Sequence, residues 1–161
     1  MTEPLERELA AMLAKEQSAL NTLMKTLEDE QLALKDRNLD SMRQTAQNKQ
    51  QHLTQFNNLV QDRLSYLSTH DQDASESGFE SLLDLMPHGA KTALTTQWQQ
   101  LKTDFEQAIS LNEKNGQLIH NSQARNRTLL SILQGQRNQP NLYNQKGSSK
   151  GATNRHEIGK A

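Results

Sequence analysis

Apolar residues recur along the first part of the chain at alternating steps of four and three. Leu5, Leu9, Met12, Leu20, Leu23, Leu27 and Leu34 form one stripe, with Glu16 and Glu30 at two of its positions. That spacing is the signature of an amphipathic helix packing along one face. It predicts a helix over about 3–35, with Thr2 as N-cap and Pro4 in the first turn. Asp36, Asn38 and Asp40 then interrupt the pattern with cap-forming residues. The same steps resume through Leu39, Met42, Ala46, Lys49, Leu53, Phe56, Val60, Arg63 and Leu67, predicting a second helix over about 38–67. The short connection makes an antiparallel hairpin the favoured geometry, with a kinked continuous helix as the alternative.

From Ser68 to Gly78 the chain is polar and without period, which predicts an exposed loop. Two helical turns are expected over about 79–86, ended by Pro87, His88 and Gly89. A last helix over about 90–134 would be roughly 65 Å long. Its seam reads Leu94, Trp98, Leu101, Phe105, Ala108, Asn112, Asn115, Ile119, Ser122, Asn126, Leu129 and Leu133. The bulky anchors lie in the first half, so the second half should bury less and fray more readily. Gly135 closes the helix, and residues 135–161 lack the apolar content to pack. The pattern thus predicts an all-α protein. It is read as an elongated antiparallel helical hairpin or coiled-coil bundle of three long helices plus one short helix, a helical domain over 1–134 followed by a flexible basic tail.

Composition agrees with a narrow seam. Apolar residues make up 33% of 161 residues and mean hydropathy is -0.89, too polar for a thick core but enough for about two or three buried positions in seven. The net charge of -1 is unevenly spread. From Gly135 onward Arg137, Lys146, Lys150, Arg155 and Lys160 face only Glu157, so the tail is basic and the body acidic. Gln and Asn together supply 32 residues, side chains that can bond a partner's surface or simply solvate a helix. No run approaches the roughly 18 apolar residues of a membrane span, and the first residues lack the order of a signal peptide. A cytoplasmic protein without membrane insertion is expected, and the absence of cysteine fits a reducing compartment.

Motifs for chemistry are few. His52, His70, His88, His120 and His156 lack a second ligand at metal-binding spacing, so solvent-exposed histidine is the better reading. Asp71, Asp73 and Ser75 begin like a calcium loop, but Glu76 and Leu82 stand where glycine and the bidentate glutamate belong. Gly147 to Gly151 lacks the spacing of a phosphate loop. With no triad, carboxylate pair or cofactor fingerprint, the expectation is a binding protein that needs no cofactor and is not an enzyme.

The words along the chain also resemble a known family. The first helix carries Glu30-Gln-Leu-Ala-Leu34, then Leu39 and Lys49 follow. The last helix carries Trp98-Gln-Gln-Leu101, Leu111-Asn-Glu-Lys-Asn-Gly-Gln-Leu-Ile119 and Asn126-Arg-Thr-Leu-Leu130, and the tail carries Asn141-Leu-Tyr-Asn-Gln-Lys-Gly147. Together they are similar to the flagellar export chaperone family of FlgN type. The resemblance implies cytosolic proteins that hold a terminal helix of the hook-filament junction proteins, prevent early assembly and deliver it to the export gate. It also implies that Tyr143, which alone would read as a stray exposed side chain, contacts the cytoplasmic domain of that gate.

The residues themselves leave choices open. Trp98 is a core anchor by its place on the seam. Asn112 and Asn115 are either a register-fixing polar pair or hydrogen-bonding groups for an incoming helix. Leu118, Ile119, Leu129, Leu130, Ile132 and Leu133 either complete the core or, with Asn126, line a groove for a partner's amphipathic helix. Two rivals stand beside the chaperone reading. A nucleic-acid or anionic-surface binder using the basic tail lacks a stacking array, so no nucleic acid is expected as partner. A structural coiled-coil adaptor would have the same helices but would not release its partner.

Overall fold

The structure, a computed structural model, describes residues 2–134. Among them are four helices and no strand: α1 (Thr2–Asp36), α2 (Leu39–Thr69), α3 (Glu76–Asp84) and α4 (His88–Leu133). The all-α class with three long helices and one short is thus what the sequence pattern predicted. The chain divides into two compact units, Met1–His120 and Asn121–Ala161.

In the first unit α1 and α2 form an antiparallel hairpin, which removes the kinked-helix alternative. Tyr66 bonds Glu8, Arg63 bonds Glu16 and Lys49 bonds Glu30, so positions late in α2 meet positions early in α1. The reversal takes two residues. Arg37 adopts a left-handed φ of 54°, and Asn38 N–H reaches back to the Ala33 carbonyl at 3.1 Å. That pairing is a Schellman ending, which normally recruits glycine because a Cβ strains the left-handed backbone. Asn38 then turns its side chain onward and accepts from Ser41 N–H at 3.1 Å as the N-cap of α2. The end of α2 repeats the device, with Asp71 at φ 56° and Gln72 N–H on the Leu67 carbonyl at 3.0 Å.

The predicted loop at 68–78 is shorter than expected. α2 continues to Thr69, and α3 starts at Glu76 because Ser75 caps it, its hydroxyl accepting from Gly78 N–H at 3.1 Å. Gly78 reads in sequence as a breaker. In the fold it lets the first turn of α3 lie against the Asp73 carbonyl, 1.9 Å from where a Cβ would stand. The start of α4 also differs from expectation. Pro87 does not separate two segments by a break through Gly89; its carbonyl accepts from Lys91 N–H at 2.8 Å and α4 begins at His88. A proline at a helix start forfeits no intrahelical donor, so the turn is compatible with it.

Within residues 88–120, α4 runs alongside α1 in the same direction, Gln17 meeting Asp104 and Asn115 meeting Leu27. It runs opposite to α2, where Phe56 stacks on Phe105 with centroids 5.8 Å apart. α3 folds back on α4 through Asp84 with Lys91 and Glu80 with Trp98. The core is one leucine-rich seam: Leu9, Leu13, Leu20, Leu23 and Leu27 of α1 pack with Phe79, Leu82 and Leu83 of α3 and with Leu94, Trp98 and Leu101 of α4. The stripe read for α2 holds only in its second half. Leu39 is 67% exposed and Ala46 is exposed, while Thr45 is buried instead. That stretch has too few apolar side chains for a leucine seam and packs through polar groups, including Thr26 with His52 at 2.8 Å. No described helix is long and apolar enough to cross a membrane.

Candidate functional site

Six polar side chains are buried among the described residues of the first unit; Thr26 and Thr45 are the two hydroxyls, and the others are Glu16, Glu30, Arg63 and Asn115. These last four form two layers. In one, Arg63 donates from Nε to Glu16 Oε1 at 2.6 Å, while its guanidinium carbon lies 4.7 Å from the Trp98 ring centroid and 5.4 Å from that of Phe79. Burial pushes the Glu16 carboxyl above the usual carboxylate range, and the Arg63 bond only partly offsets this. Glu16 Oε2 has no hydrogen-bond partner among the described residues.

In the other layer Asn115 donates from Nδ2 to the Leu27 carbonyl at 2.8 Å and to Glu30 Oε1 at 3.0 Å. Lys49 closes the layer on Glu30 at 3.1 Å and also reaches Asn112 Oδ1 at 3.4 Å. Asn115 is fully buried. Its Nδ2 is committed to α1 and its Oδ1 is buried without a partner among the described residues, so the side chain does not face an incoming helix. Asn112 is exposed and remains accessible.

Leu118 and Ile119 are half-buried near the end of the first unit. No residue of α4 after Asn115 is buried. In the second unit, described as far as residue 134, Leu129, Leu130, Ile132 and Leu133 are 57, 54, 53 and 81% exposed. Helical spacing sets Leu129, Ile132 and Leu133 on one face with Leu130 beside it, and exposed Asn126 lies one turn earlier. Four large apolar side chains in five positions make a contiguous exposed patch, and such patches mark contact surfaces. Tyr143 lies outside the described residues. The residues that sequence reasoning passed over are Glu16 and Arg63. Their signal was available, since each is a charge at a position of an apolar stripe.

No group of three or more His, Cys, Asp or Glu able to hold a metal ion occurs among the described residues. The arrangement has the means to hold an amphipathic segment by apolar contact and hydrogen bonding, and defines a helical protein-binding protein. The family model described as FlgN protein matches residues 1–151. The chain therefore belongs to the FlgN family, a family of flagellar export chaperones. No curated protein and no solved structure is detectably similar to it.

Proposed function

We propose that the protein is a cytosolic type III export chaperone that holds the terminal helix of a hook-filament junction protein and delivers it to the export gate. The observation that carries this reading is the exposed apolar patch of Leu129, Leu130, Ile132 and Leu133 on a helix with no buried residue after Asn115. An amphipathic client helix laid on those side chains would bury both apolar faces and shield a segment that would otherwise assemble early. Asn126 would bond the client's polar edge; Asn112, Leu118 and Ile119 of the first unit are proposed as client contacts in their own right. Tyr143 would serve the second partner, the cytoplasmic domain of the gate.

Isothermal titration of the full chain with peptides from the terminal helices of junction proteins tests the reading, with circular dichroism before and after mixing. Saturable, near-equimolar binding with a gain in helix is the expected result. Failure of all such peptides to bind would leave a coiled-coil adaptor of another complex.

A further inference from the structure

The first unit holds a cavity that the client patch does not use. It has a volume of about 230 Å³ and is lined by Phe56, Val60, Leu64, Trp98, Leu101 and Phe105, with Glu16 and Arg63 also in its wall. An apolar cavity of about 150 Å³ already accommodates a benzene ring, so an aromatic side chain fits by size. Phe105, in its wall, is 43% exposed. Leu53 and Ile109, 41 and 45% exposed, stand one helical turn further along α2 and α4, where those helices run antiparallel.

The wall specifies more than a ring. Glu16 is 1% exposed, one oxygen is taken by Arg63, and the other is an unpartnered buried acceptor. Such an atom costs free energy until it gains a hydrogen bond. The charged residues that line the cavity are already paired, Glu16 with Arg63 and Glu76 with Lys102, which also reaches Glu80 outside the lining. A cationic or anionic side chain would therefore enter a low-dielectric site without a counter-charge. A neutral aromatic with a hydroxyl meets each condition, and a phenol both donates and accepts, so it satisfies the Glu16 carboxyl whether ionised or protonated.

We infer that the cleft between α2 and α4 is a second docking site, which takes a tyrosine of a partner polypeptide as a buried anchor, its ring among Phe56, Leu64 and Phe105 and its hydroxyl on Glu16 Oε2. Leu53 and Ile109 carry the apolar residues that flank the anchor. The site is separate from the Leu129 to Leu133 patch and does not depend on the client assigned to it.

The test is nuclear magnetic resonance titration of the full chain with p-cresol, the tyrosine side-chain analogue, and with toluene, its counterpart without the hydroxyl. The readouts are the Trp98 indole N–H and the Val60 and Leu64 methyl groups. p-Cresol should saturate those signals with an affinity roughly tenfold above that of toluene. The preference should vanish in the double variant Glu16→Leu/Arg63→Met, which removes the pair without stranding a charge. Leu64→Trp, which fills the cavity, should abolish both titrations. N-acetyl-tyrosinamide, the same ring carrying backbone amides, should bind at least as tightly as p-cresol. Equal binding of p-cresol and toluene, or no shift at Trp98, overturns the site. Exclusion of N-acetyl-tyrosinamide overturns a polypeptide occupant in favour of a free phenol. A rise in p-cresol affinity in Tyr143→Ala overturns a separate partner, since this chain's own tyrosine would then be the occupant.

Discussion

Arg63 joins all the packed elements of the first unit through its contact with Glu16, donating to it at 2.6 Å while its guanidinium spreads over Trp98 and Phe79. Both partners are more than nine-tenths buried. Two desolvated charges hold one another, and neither has solvent to fall back on. Removing one should therefore cost far more than removing both. Glu16→Leu is expected to destabilise the fold by about 3–5 kcal/mol, because an arginine cannot shed its charge. Glu16→Leu/Arg63→Met should lie within about 1–2 kcal/mol of the parent or above it. Urea unfolding of the two variants checks this, and a double variant as unstable as the single would mean that the pair does more than neutralise itself.

The same carboxyl gives a pH signature. Its folded pKa is raised above the usual 4.5, with burial the largest cause. In the folded state it therefore holds its proton to higher pH than in the unfolded chain. The stability linked to that proton is fully present below about 4.5 and is lost as pH rises through the folded value. The stability of the parent relative to Glu16→Gln should thus fall over that window and level off above it. Parallel thermal melts of the two proteins across the acid range measure it, and a constant difference would place the Glu16 pKa at its unfolded value.

Gly78 provides a local test of backbone packing. A Cβ there would stand 1.9 Å from the Asp73 carbonyl oxygen, a backbone atom with no flexible end to swing aside. Alanine improves helix propensity by about 1 kcal/mol in an open helix. Here Gly78→Ala should instead destabilise by about 1–3 kcal/mol through overpacking. At Gly116, where nothing lies within 4 Å, the same substitution should stabilise. Chemical denaturation of the two variants gives the comparison.

For the proposed client surface, Leu129→Asp/Leu133→Asp should weaken junction-peptide binding by at least tenfold while leaving the melting temperature close to the parent's, since both side chains are exposed. Tyr143→Ala should keep client affinity and weaken binding to the gate's cytoplasmic domain. Calorimetry with each partner separates the two effects. A double leucine variant that binds its client normally removes this patch from the mechanism.

The period of apolar residues carried the helix count and most of the core, because a three-four step has few structural interpretations. Leu9, Leu20, Leu23 and Leu27 lie where the step puts them. The errors fall where local chemistry outweighs the period. Ser75 and Gly78 built a cap within a stretch that looked like loop, and Pro87 supplied a helix start where it looked like a stop. Leu39 and Ala46 match the step yet stay exposed, because their neighbours along α2 offer no apolar mass for α1 to bury. The site was harder to read. Asn115 and Asn112 are alike in sequence, and only the α1 carbonyl at 2.8 Å shows that one of them is turned inward. The cavity beside Glu16 draws on all four helices and has no linear signature.

The two polar layers also bear on which other proteins the helices could be mistaken for. A three-four leucine repeat is common currency among coiled coils, and stripes of leucine alone would slide or exchange with little penalty. Here a slip of seven residues between α1 and α2 would set Phe56 or His70 against Glu16, and one between α1 and α4 would set Ala108 against Glu30. Against Phe56 or Ala108 the carboxylate is left facing hydrocarbon, and against His70 it loses the permanently charged guanidinium. The protein therefore reserves its inner faces for one another, and a helix without the matching polar groups is a poor substitute for one of its own.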